Sequence, residues 1–305
     1  MSKISLWWRA VRPFAFTVSL IPPILGTIIA LIENPGLRLN WLHLFLTLIG
    51  CMAAHAGANL LSDYYDFKSQ VDRKGTFGSS GLLVEKIMQP GQIFKGAWIG
   101  ILLALAIGIY MILVTPNGLF LLWLILIGGI LGVFYTASPI AFKYHAMGDM
   151  AVFISFGPAM VLGAYYVQAH HFSWGPILYA LPVALLVDAI LHSNNLRDIH
   201  NDRVVNIKTL PILIGERGAE IMYYGLIFGA YILTVILIVW AGLSLLSLIT
   251  FLSLPLAVKL VKMVRDKEKI PVKAFAMIDA ATAQFHLTFG ILMILSLVGH
   301  YLFIA

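Results

Sequence analysis

Long apolar stretches, separated by short polar connections, are the dominant pattern along this chain. A helix needs about 20 apolar residues to cross a hydrocarbon core of about 30 Å, and these stretches are long enough. None of them alternates polar and apolar residues as a membrane-spanning strand does. We therefore predict an all-α polytopic membrane protein. Nine transmembrane helices are expected at about residues 14–32, 41–62, 91–114, 118–135, 148–168, 174–195, 217–240, 243–263 and 283–304.

The composition supports a membrane location and narrows the possible chemistry. Hydrophobic residues make up 60% of the 305 residues and charged residues 11%, whereas soluble proteins average about 25% charged residues. The single cysteine, Cys51, excludes an intrachain disulfide and a cysteine metal cluster. The nine histidines lack the paired spacing of zinc ligands, so we assign them structural or interfacial roles. Without a separate soluble domain or low-complexity segment, residues 1–305 are predicted to form one membrane-embedded domain.

Two acidic clusters follow apolar stretches, at the ends of the second and sixth predicted helices. In the first cluster, Asn59, Asp63 and Asp66 share one narrow face of a helix. The second cluster repeats this spacing of an amide and a carboxylate one helical turn apart. It contains Asn194, Asn195, Asp198 and Asp202.

The residue types in these clusters are those that bind a hard divalent cation. Carboxylates this close together repel one another unless a positive charge lies among them. Oxygen ligands suit Mg²⁺ better than zinc or copper. The alternative is that these acids are solvated loop ends, but amides one turn deeper in an apolar helix require polar partners. We therefore predict a Mg²⁺ site.

Basic residues lie close to both acidic clusters in the sequence. A phosphorylated ligand held through Mg²⁺ would still need cationic donors around it. Topology alone also explains these residues, because Lys and Arg concentrate in cytoplasmic loops. Lys143 is the strongest candidate for phosphate contact, since its loop contains no other Lys or Arg. The candidate diphosphate-binding residues are Arg73, Lys74, Lys143, Arg197 and Lys208.

The positions of the basic residues also predict the orientation of the chain. Every Lys and Arg except Arg38 lies before the first helix, or in or beside a loop that follows an even-numbered helix. We therefore expect a cytoplasmic N-terminus and an external C-terminus. Both acidic clusters then open on the cytoplasmic face of the cell inner (plasma) membrane. The most basic stretch, residues 259–273, is interpreted as a topology signal and a surface for anionic lipid.

Several segments together resemble a known family over nearly the whole chain. They are Arg12-Pro13 with Pro22 and Gly26, Asn59 to Asp72, Tyr135 to Pro139, Gly148-Asp149, Phe156 to Pro158, Val161 to Gln168, Asn194 to Asp202, Lys208 to Leu210, and Thr282 to Gln284. In these segments the chain resembles the UbiA superfamily of intramembrane aromatic prenyltransferases. Within that superfamily it is most similar to the menaquinone-branch 1,4-dihydroxy-2-naphthoate polyprenyltransferases.

The resemblance implies a fold, a reaction and a set of site residues. It implies nine helices around a central cavity, and Mg²⁺-dependent transfer of a polyprenyl group from polyprenyl diphosphate to an aromatic acceptor. Two aspartate-rich motifs would hold the Mg²⁺ that bridges the diphosphate, and their four aspartates would be catalytic. One metal would be bound by Asn59, Asp63 and Asp66, and the other by Asp198 and Asp202.

The chain departs from the family pattern at two positions. Ser62 stands where the family usually has Asn, and Asn206 stands where it usually has Gly. Because a serine hydroxyl can still donate a hydrogen bond, we expect activity to be retained. The departures bear more on which acceptor is used.

The expected substrate pocket lies within the bilayer, and no nucleic-acid partner is expected. We place Asn194, Asn195, Tyr135 and Tyr165 in this pocket, where tyrosine ring faces can border a carbocation; helix packing is the alternative role for the tyrosines. Other acceptors remain open, namely hydroxybenzoate, homogentisate, haem or a chlorophyllide. A cation or lipid transporter is a further alternative, but its acids would be expected near the bilayer midplane on interrupted helices.

Overall fold

The structure is a computed structural model that describes residues 2–304, and helices are the regular elements of this range. The α-helices are α1 Lys3–Val11, α2 Thr17–Glu33, α3 Trp41–Lys68, α4 Pro90–Val114, α5 Leu119–Val133, α6 Gly148–Ile154, α7 Met160–Ala169, α8 Gly175–Arg197, α9 Ile199–Val204, α10 Leu210–Trp240, α11 Leu254–Arg265, α12 Val272–Phe275 and α13 Ile278–Ile304. Short 3₁₀ or π segments adjoin several of them.

The helices confirm the predicted all-α, multi-pass membrane fold. Within residues 2–304, eight helical segments are long and apolar enough to cross a membrane. A ninth apolar helix, α5, has only 15 residues and spans about 22 Å at the usual rise of about 1.5 Å per residue. Each of the nine predicted segments therefore corresponds to an apolar helix, although the fourth is short.

The predicted fifth helix is interrupted in its middle. Residues Ser155–Ala159 form a π-helical turn between α6 and α7. Gly157 has non-helical dihedral angles (φ −94°, ψ −107°), and the following Pro158 has no N–H to donate. A Cβ atom at Gly157 would lie 2.4 Å from the Cβ of Ala184. The absence of a side chain at Gly157 therefore lets α8 approach this turn very closely.

Two further boundaries differ from the prediction. The helix expected from residue 217 begins instead at Leu210. Its backbone changes direction inside the helix, at Gly215 (φ 74°, ψ 164°). The eighth expected helix begins as a 3₁₀ helix, Leu245–Ser253, before it continues as α11. Apolar composition located both segments, but it carried no information on where the backbone bends.

The N-terminal helix α1 precedes the first predicted span. Its side chains Ile4 and Trp8 are exposed, whereas Ala10 is buried. On its inner side, Arg9 donates a hydrogen bond to the carbonyl oxygen of Ser80 (2.9 Å) and pairs with Glu85 (2.7 Å). This short amphipathic helix, typical of a membrane interface, therefore holds the connection between α3 and α4.

The helices pack unevenly around the molecule. The largest apolar core joins α2, α7, α8, α10 and α13, and α2 packs against α7, α8 and α13. A Cβ atom at Gly26 would lie 2.1 Å from the carbonyl oxygen of Val161, which shows how closely α2 and α7 approach. In contrast, α5 has only Leu121 buried. A large cavity lies between α3, α5 and α7, as the resemblance implied.

Candidate active site

The last turns of α3 carry the first acidic cluster. Asp63 and Asp66 are both buried there. Asp63 forms a salt bridge with Arg12, and it accepts hydrogen bonds from the backbone N–H (3.2 Å) and hydroxyl (2.5 Å) of Ser80. Ser80 belongs to the connection between α3 and α4, so this connection folds back over the carboxylate of Asp63.

Asp66 accepts hydrogen bonds from three side chains. The donors are the hydroxyl of Ser62 (2.9 Å), the ammonium group of Lys143 (2.7 Å) and the hydroxyl of Tyr144 (2.7 Å). Ser62 therefore supplies the hydrogen bond expected of it. Lys143 and Tyr144 belong to a 3₁₀ turn, Phe142–Tyr144, which brings a distant part of the chain to the end of α3.

The electrostatics of this turn keep both of its donors protonated. Burial alone would lower the pKa of Lys143, but Asp66, Tyr135, Asp72 and Tyr144 together outweigh this effect, and the pKa lies well above its ordinary value. Burial and the charge of Asp66 raise the pKa of Tyr144 as well. Both groups therefore remain hydrogen-bond donors at neutral pH.

The second acidic cluster lies at the end of α8 and in α9. Arg197 donates to Asp198 (2.7 Å), contacts the side-chain oxygen of Asn194, and pairs with Asp279 of α13 (2.8 Å). It also donates to the carbonyl oxygen of Ala276 (3.1 Å). With its side chain only 3% exposed, Arg197 fixes the carboxylate of Asp198 relative to α13.

Asp72, which follows the first acidic cluster, faces the second cluster across a small polar hollow that Lys143 also borders. The guanidinium group of Arg73 donates to the carbonyl oxygen of Asn201 (3.0 Å) and so links the two walls. A Cβ atom at Gly78 would lie 3.3 Å from Asp198 Oδ2, so the loop after α3 approaches the second cluster closely. The polar residues around the hollow include Asp72, Lys143, Asn194, Asn195, Asp198 and Asp202.

Two carboxylates in this hollow are destabilised in their ionised form. Burial raises the pKa of Asp72 to about 6, and the neighbouring charge of Asp66 adds to the effect. Burial likewise raises the pKa of Asp202 to about 7, with a further contribution from Asp198. A bound cation would lower both pKa values and stabilise the ionised carboxylates.

The donor set fits Mg²⁺, although the protein alone does not form a complete coordination sphere. Within residues 2–304, no three His, Cys, Asp or Glu side chains converge closely enough to hold a metal ion. Mg²⁺ is commonly held by one or two carboxylates together with phosphate oxygens and water. Carboxylates on two facing walls match that mode of binding. The Nε atom of Arg12 and the hydroxyl of Tyr135 are also buried with no partner in the described chain, and both are donors suited to an anionic ligand.

A cavity of about 640 Å³ adjoins the polar hollow. Its polar end is formed by Arg12, Asn59, Tyr135, Lys143 and Asn194, and Lys143 and Asn194 border both spaces. Beyond this end the walls are largely apolar side chains of α3, α4, α5 and α7. The arrangement suits a ligand that has a charged end and a long apolar part.

The predicted basic residues occupy different environments. Lys143 borders the cavity. The guanidinium group of Arg73 donates to backbone carbonyl oxygens, and that of Arg197 pairs with Asp279 of α13. Lys74 and Lys208 are exposed, and Lys208 contributes its backbone N–H to the carbonyl oxygen of Tyr144 (3.1 Å).

The two predicted tyrosines lie at opposite ends of the bundle. Tyr135 lines the cavity beside the acidic clusters. Tyr165 is fully buried in the α2–α7 core, where its hydroxyl contacts Asn34 (3.4 Å) and His171 (3.0 Å). Asn34 follows the far end of α2, so Tyr165 is not in the wall of this cavity.

Five residues of the site were not among the sequence candidates. Asp72 lies inside the first acidic stretch, so its position alone could have indicated it. The others reach the site only through tertiary packing, and no local spacing connects them to an aspartate. The five residues are Arg12, Asp72, Ser80, Tyr144 and Asp279.

Together the fold and the site define a class: a polytopic helical membrane protein with paired acidic clusters at one end of an apolar cavity. The model of the UbiA prenyltransferase family matches residues 20–299, and this chain belongs to that family. It is therefore an enzyme of the prenyltransferase type.

Individual relatives agree with this assignment. The human UbiA prenyltransferase domain-containing protein 1 is 34% identical over 300 residues, covering 97% of this chain and 84% of the relative. The 1,4-dihydroxy-2-naphthoate octaprenyltransferase of Bacillus subtilis is 31% identical over 294 residues, covering 96% and 92%. A solved UbiA homologue from Archaeoglobus fulgidus, bound to GPP and Mg²⁺, superposes with a TM-score of 0.66 at 16% identity, covering 95% and 99%.

Proposed function

We propose that this protein catalyses the Mg²⁺-dependent transfer of a polyprenyl group from polyprenyl diphosphate to an aromatic acceptor. The observation that carries the proposal is a hollow lined by Asp72, Asp198, Asp202 and Lys143, which adjoins the polar end of an apolar cavity. A polyprenyl diphosphate has the same division into a charged end and a long apolar part. The Archaeoglobus homologue that shares this fold binds GPP and Mg²⁺.

The polar hollow would hold the diphosphate. Asn59, Asp63 and Asp66 would contribute to one Mg²⁺ position, and Asp198 and Asp202 to the other. Bound Mg²⁺ would neutralise diphosphate charge and stabilise the departing diphosphate. In this role the four aspartates are the catalytic residues proposed from the sequence.

The cations around the hollow would divide the remaining work. Lys143 and Arg12 border the cavity, so they can donate to diphosphate oxygens as the leaving group gains negative charge. Arg73 and Arg197 would act indirectly, because they hold the two walls in place. The exposed Lys74 and Lys208 would attract the anionic substrate over a longer range.

The apolar part of the cavity would serve the prenyl chain and the acceptor. Its side chains exclude water from the developing allylic cation, which water would otherwise capture. The ring of Tyr135 can border the cation, and Asn194 and Asn195 offer amide groups beside it. For Tyr165, which packs away from the cavity, we now propose a structural role.

We further propose that the acceptor is 1,4-dihydroxy-2-naphthoate, which places the enzyme in menaquinone biosynthesis. Two points support this acceptor: the segments that resemble the naphthoate branch, and the Bacillus subtilis relative named for this acceptor. A dihydroxynaphthoate ring is electron-rich, so the site needs no strong base to activate it.

Product analysis would test the function. Purified protein would be incubated with Mg²⁺, polyprenyl diphosphates of several lengths, and a panel of naphthoate, hydroxybenzoate and homogentisate acceptors, with products identified by mass. We expect a prenylated naphthoate, loss of activity with EDTA and recovery with Mg²⁺. Exclusive use of another acceptor would contradict the naphthoate assignment alone, whereas no product with any acceptor would contradict the prenyltransferase proposal.

We propose that the site faces the cytoplasm, in the cell inner membrane. The uneven distribution of Lys and Arg supports this orientation. In a Cys51→Ala background, we expect Lys74→Cys to be labelled by an impermeant thiol reagent only from the cytoplasmic side. His170→Cys, placed after α7, should be labelled only from outside. Reversed labelling of the two variants would overturn the orientation.

A further inference from the structure

His55 lies in the cavity wall, although no functional role was predicted for it from the sequence. It occupies the cavity-facing side of α3, one helical turn before Asn59. The side chain is largely buried, with 7% of the residue exposed. Four residues of helix correspond to about 6 Å of rise. His55 therefore lies deeper than the polar hollow, beside the space that the first carbons of a prenyl donor would occupy.

The hydrogen bonds around His55 are consistent with a proton on its Nδ1 atom. The hydroxyl of Ser19 lies 3.2 Å from the carbonyl oxygen of Phe16 and donates to it. The oxygen of Ser19 is then left to accept a hydrogen bond from Nδ1–H of His55, at 3.2 Å. A neutral imidazole with its proton on Nδ1 has an unprotonated Nε2, which is a hydrogen-bond acceptor.

Two aromatic rings hold the imidazole in this orientation. The ring centroid of Phe16 lies 5.6 Å from that of His55, and the centroid of Phe156 lies 5.0 Å away, both in edge-to-face arrangements. Phe156 also lines the cavity. The position of Nε2 is therefore set by packing on both sides and by the bond to Ser19.

The Nε2 atom faces the cavity as an unused acceptor. It makes no hydrogen bond within residues 2–304, and it is not among the fully buried polar atoms that lack a partner. Two hydroxyls that line the apolar part of the cavity, Thr47 and Ser155, are bonded to carbonyl oxygens of their own helices, each at 2.7 Å. His55 thus presents a fixed acceptor where the surrounding wall is apolar.

We propose that His55 Nε2 accepts a hydrogen bond from a hydroxyl group of the aromatic acceptor, and so selects and orients hydroxyaromatic substrates. This inference rests on the proposed prenyl transfer and names the contact that recognises the acceptor. A hydrogen bond from a phenolic hydroxyl increases electron density in the ring. It also strengthens as the ring attacks the prenyl carbon and the hydroxyl becomes more acidic, so it favours the transition state.

A comparison of hydroxylated and methylated acceptors tests this contact. The substitution His55→Phe keeps a ring between Phe16 and Phe156 but removes the acceptor nitrogen. We expect kcat/KM for the hydroxylated acceptor to fall by roughly tenfold or more, as for loss of one hydrogen bond to a reacting group. The KM for the prenyl diphosphate should not change. Methylating the acceptor hydroxyl should cost the wild type at least tenfold and His55→Phe little.

The control and the second variant separate recognition from folding. His43→Phe replaces a buried histidine outside the cavity lining and should leave kcat/KM unchanged. Melting temperatures in detergent would report folding for each variant. If His55→Phe does not fold, Ser19→Ala carries the test. Losing the partner of Nδ1 should weaken use of the hydroxylated acceptor several-fold and leave the methyl ether unaffected.

Three results would overturn the proposal for His55 alone while the wild type remains active. These are an unchanged rate in His55→Phe, an equal loss with hydroxylated and methylated acceptors, and a raised KM for the prenyl diphosphate. A wild-type protein that prenylates no hydroxyaromatic acceptor would overturn the proposed function and this inference together.

Discussion

The two acidic clusters are similar in sequence but are neutralised in different ways. In the first cluster, Asp63 pairs with Arg12, 51 residues away, and Asp66 pairs with Lys143, 77 residues away. In the second cluster, Asp198 pairs with the adjacent Arg197. The first set of pairs therefore depends on tertiary packing, whereas the second is local.

The difference indicates separate roles for the cations. Arg12 and Lys143 border the cavity, so each can exchange its carboxylate for an anionic ligand. Arg197 also holds Asp279 and the carbonyl oxygen of Ala276, and it has no such freedom. We infer that Arg12 and Lys143, the partners of the first cluster, can move to an anionic ligand, whereas Arg197 keeps the carboxylate of Asp198 fixed.

The largest expected effect follows removal of a carboxylate from either cluster. Asp63→Ala, Asp66→Ala, Asp198→Ala or Asp202→Ala should each abolish turnover, because each removes a proposed oxygen ligand from a site with few others. Asp266→Ala serves as control, because Asp266 is only partly buried and lines neither the cavity nor the hollow. Steady-state activity per folded protein is the measurement, and near-normal activity in any two variants would contradict the two-cluster arrangement.

The melting temperature should distinguish the two clusters, although activity should be lost in both. Asp66→Ala leaves Lys143 buried without its partner, so the melting temperature should fall. Asp202→Asn removes a carboxylate whose pKa burial has raised, so the melting temperature should stay the same or rise. A fall of equal size in both variants would contradict the difference.

The next largest effect is expected at Arg197. Arg197→Ala removes a buried cation that joins α8 to α13 and leaves Asp198 and Asp279 facing each other. Breaking a buried pair typically costs about 3–5 kcal/mol, so we expect a marked fall in the free energy of unfolding. Chemical denaturation would measure it against Arg265→Ala, which removes an exposed pair. An unchanged unfolding free energy would show that Arg197 is not structural.

A smaller effect is expected at Lys143, and it should appear in the rate. Lys143→Ala removes a charge-assisted hydrogen bond that strengthens as the leaving group gains charge, at a cost of about 1.5–3 kcal/mol or roughly ten- to a hundredfold in turnover. Lys143→Arg should recover part of this loss. If Lys143 acts only as a topology signal, the amount of inserted protein would fall and kcat per folded molecule would not.

The smallest effects are expected at the exposed lysines. Lys74→Ala and Lys208→Ala leave every described backbone hydrogen bond of the site in place. We expect a rise of about two- to threefold in KM for the prenyl diphosphate at low salt, because exposed charges attract the substrate only through solvent. This rise should disappear at high ionic strength. A salt-independent loss of kcat would instead indicate direct contact.

Local patterns predicted those features that depend on only one helix. The apolar stretches located the spans, and the spacing of Asn59, Asp63 and Asp66 placed them on one face. The short helix α1 was not predicted because its polar and apolar residues do not form a long apolar run. Contacts such as Arg12 with Asp63 depend on how distant helices pack. The role of His55 could not be predicted from spacing, because the spacing of metal ligands does not indicate a single fixed acceptor.

Ser80 connects the surface of the protein to its interior. Its carbonyl oxygen accepts from Arg9 of α1, while its N–H and hydroxyl donate to Asp63. A movement of α1 would therefore reach Asp63 through Ser80 and also through Arg12, which directly follows α1. For protein engineering, we expect an affinity tag or fusion partner placed directly before α1 to lower activity. A design that requires an undisturbed enzyme should keep that end of the chain unmodified.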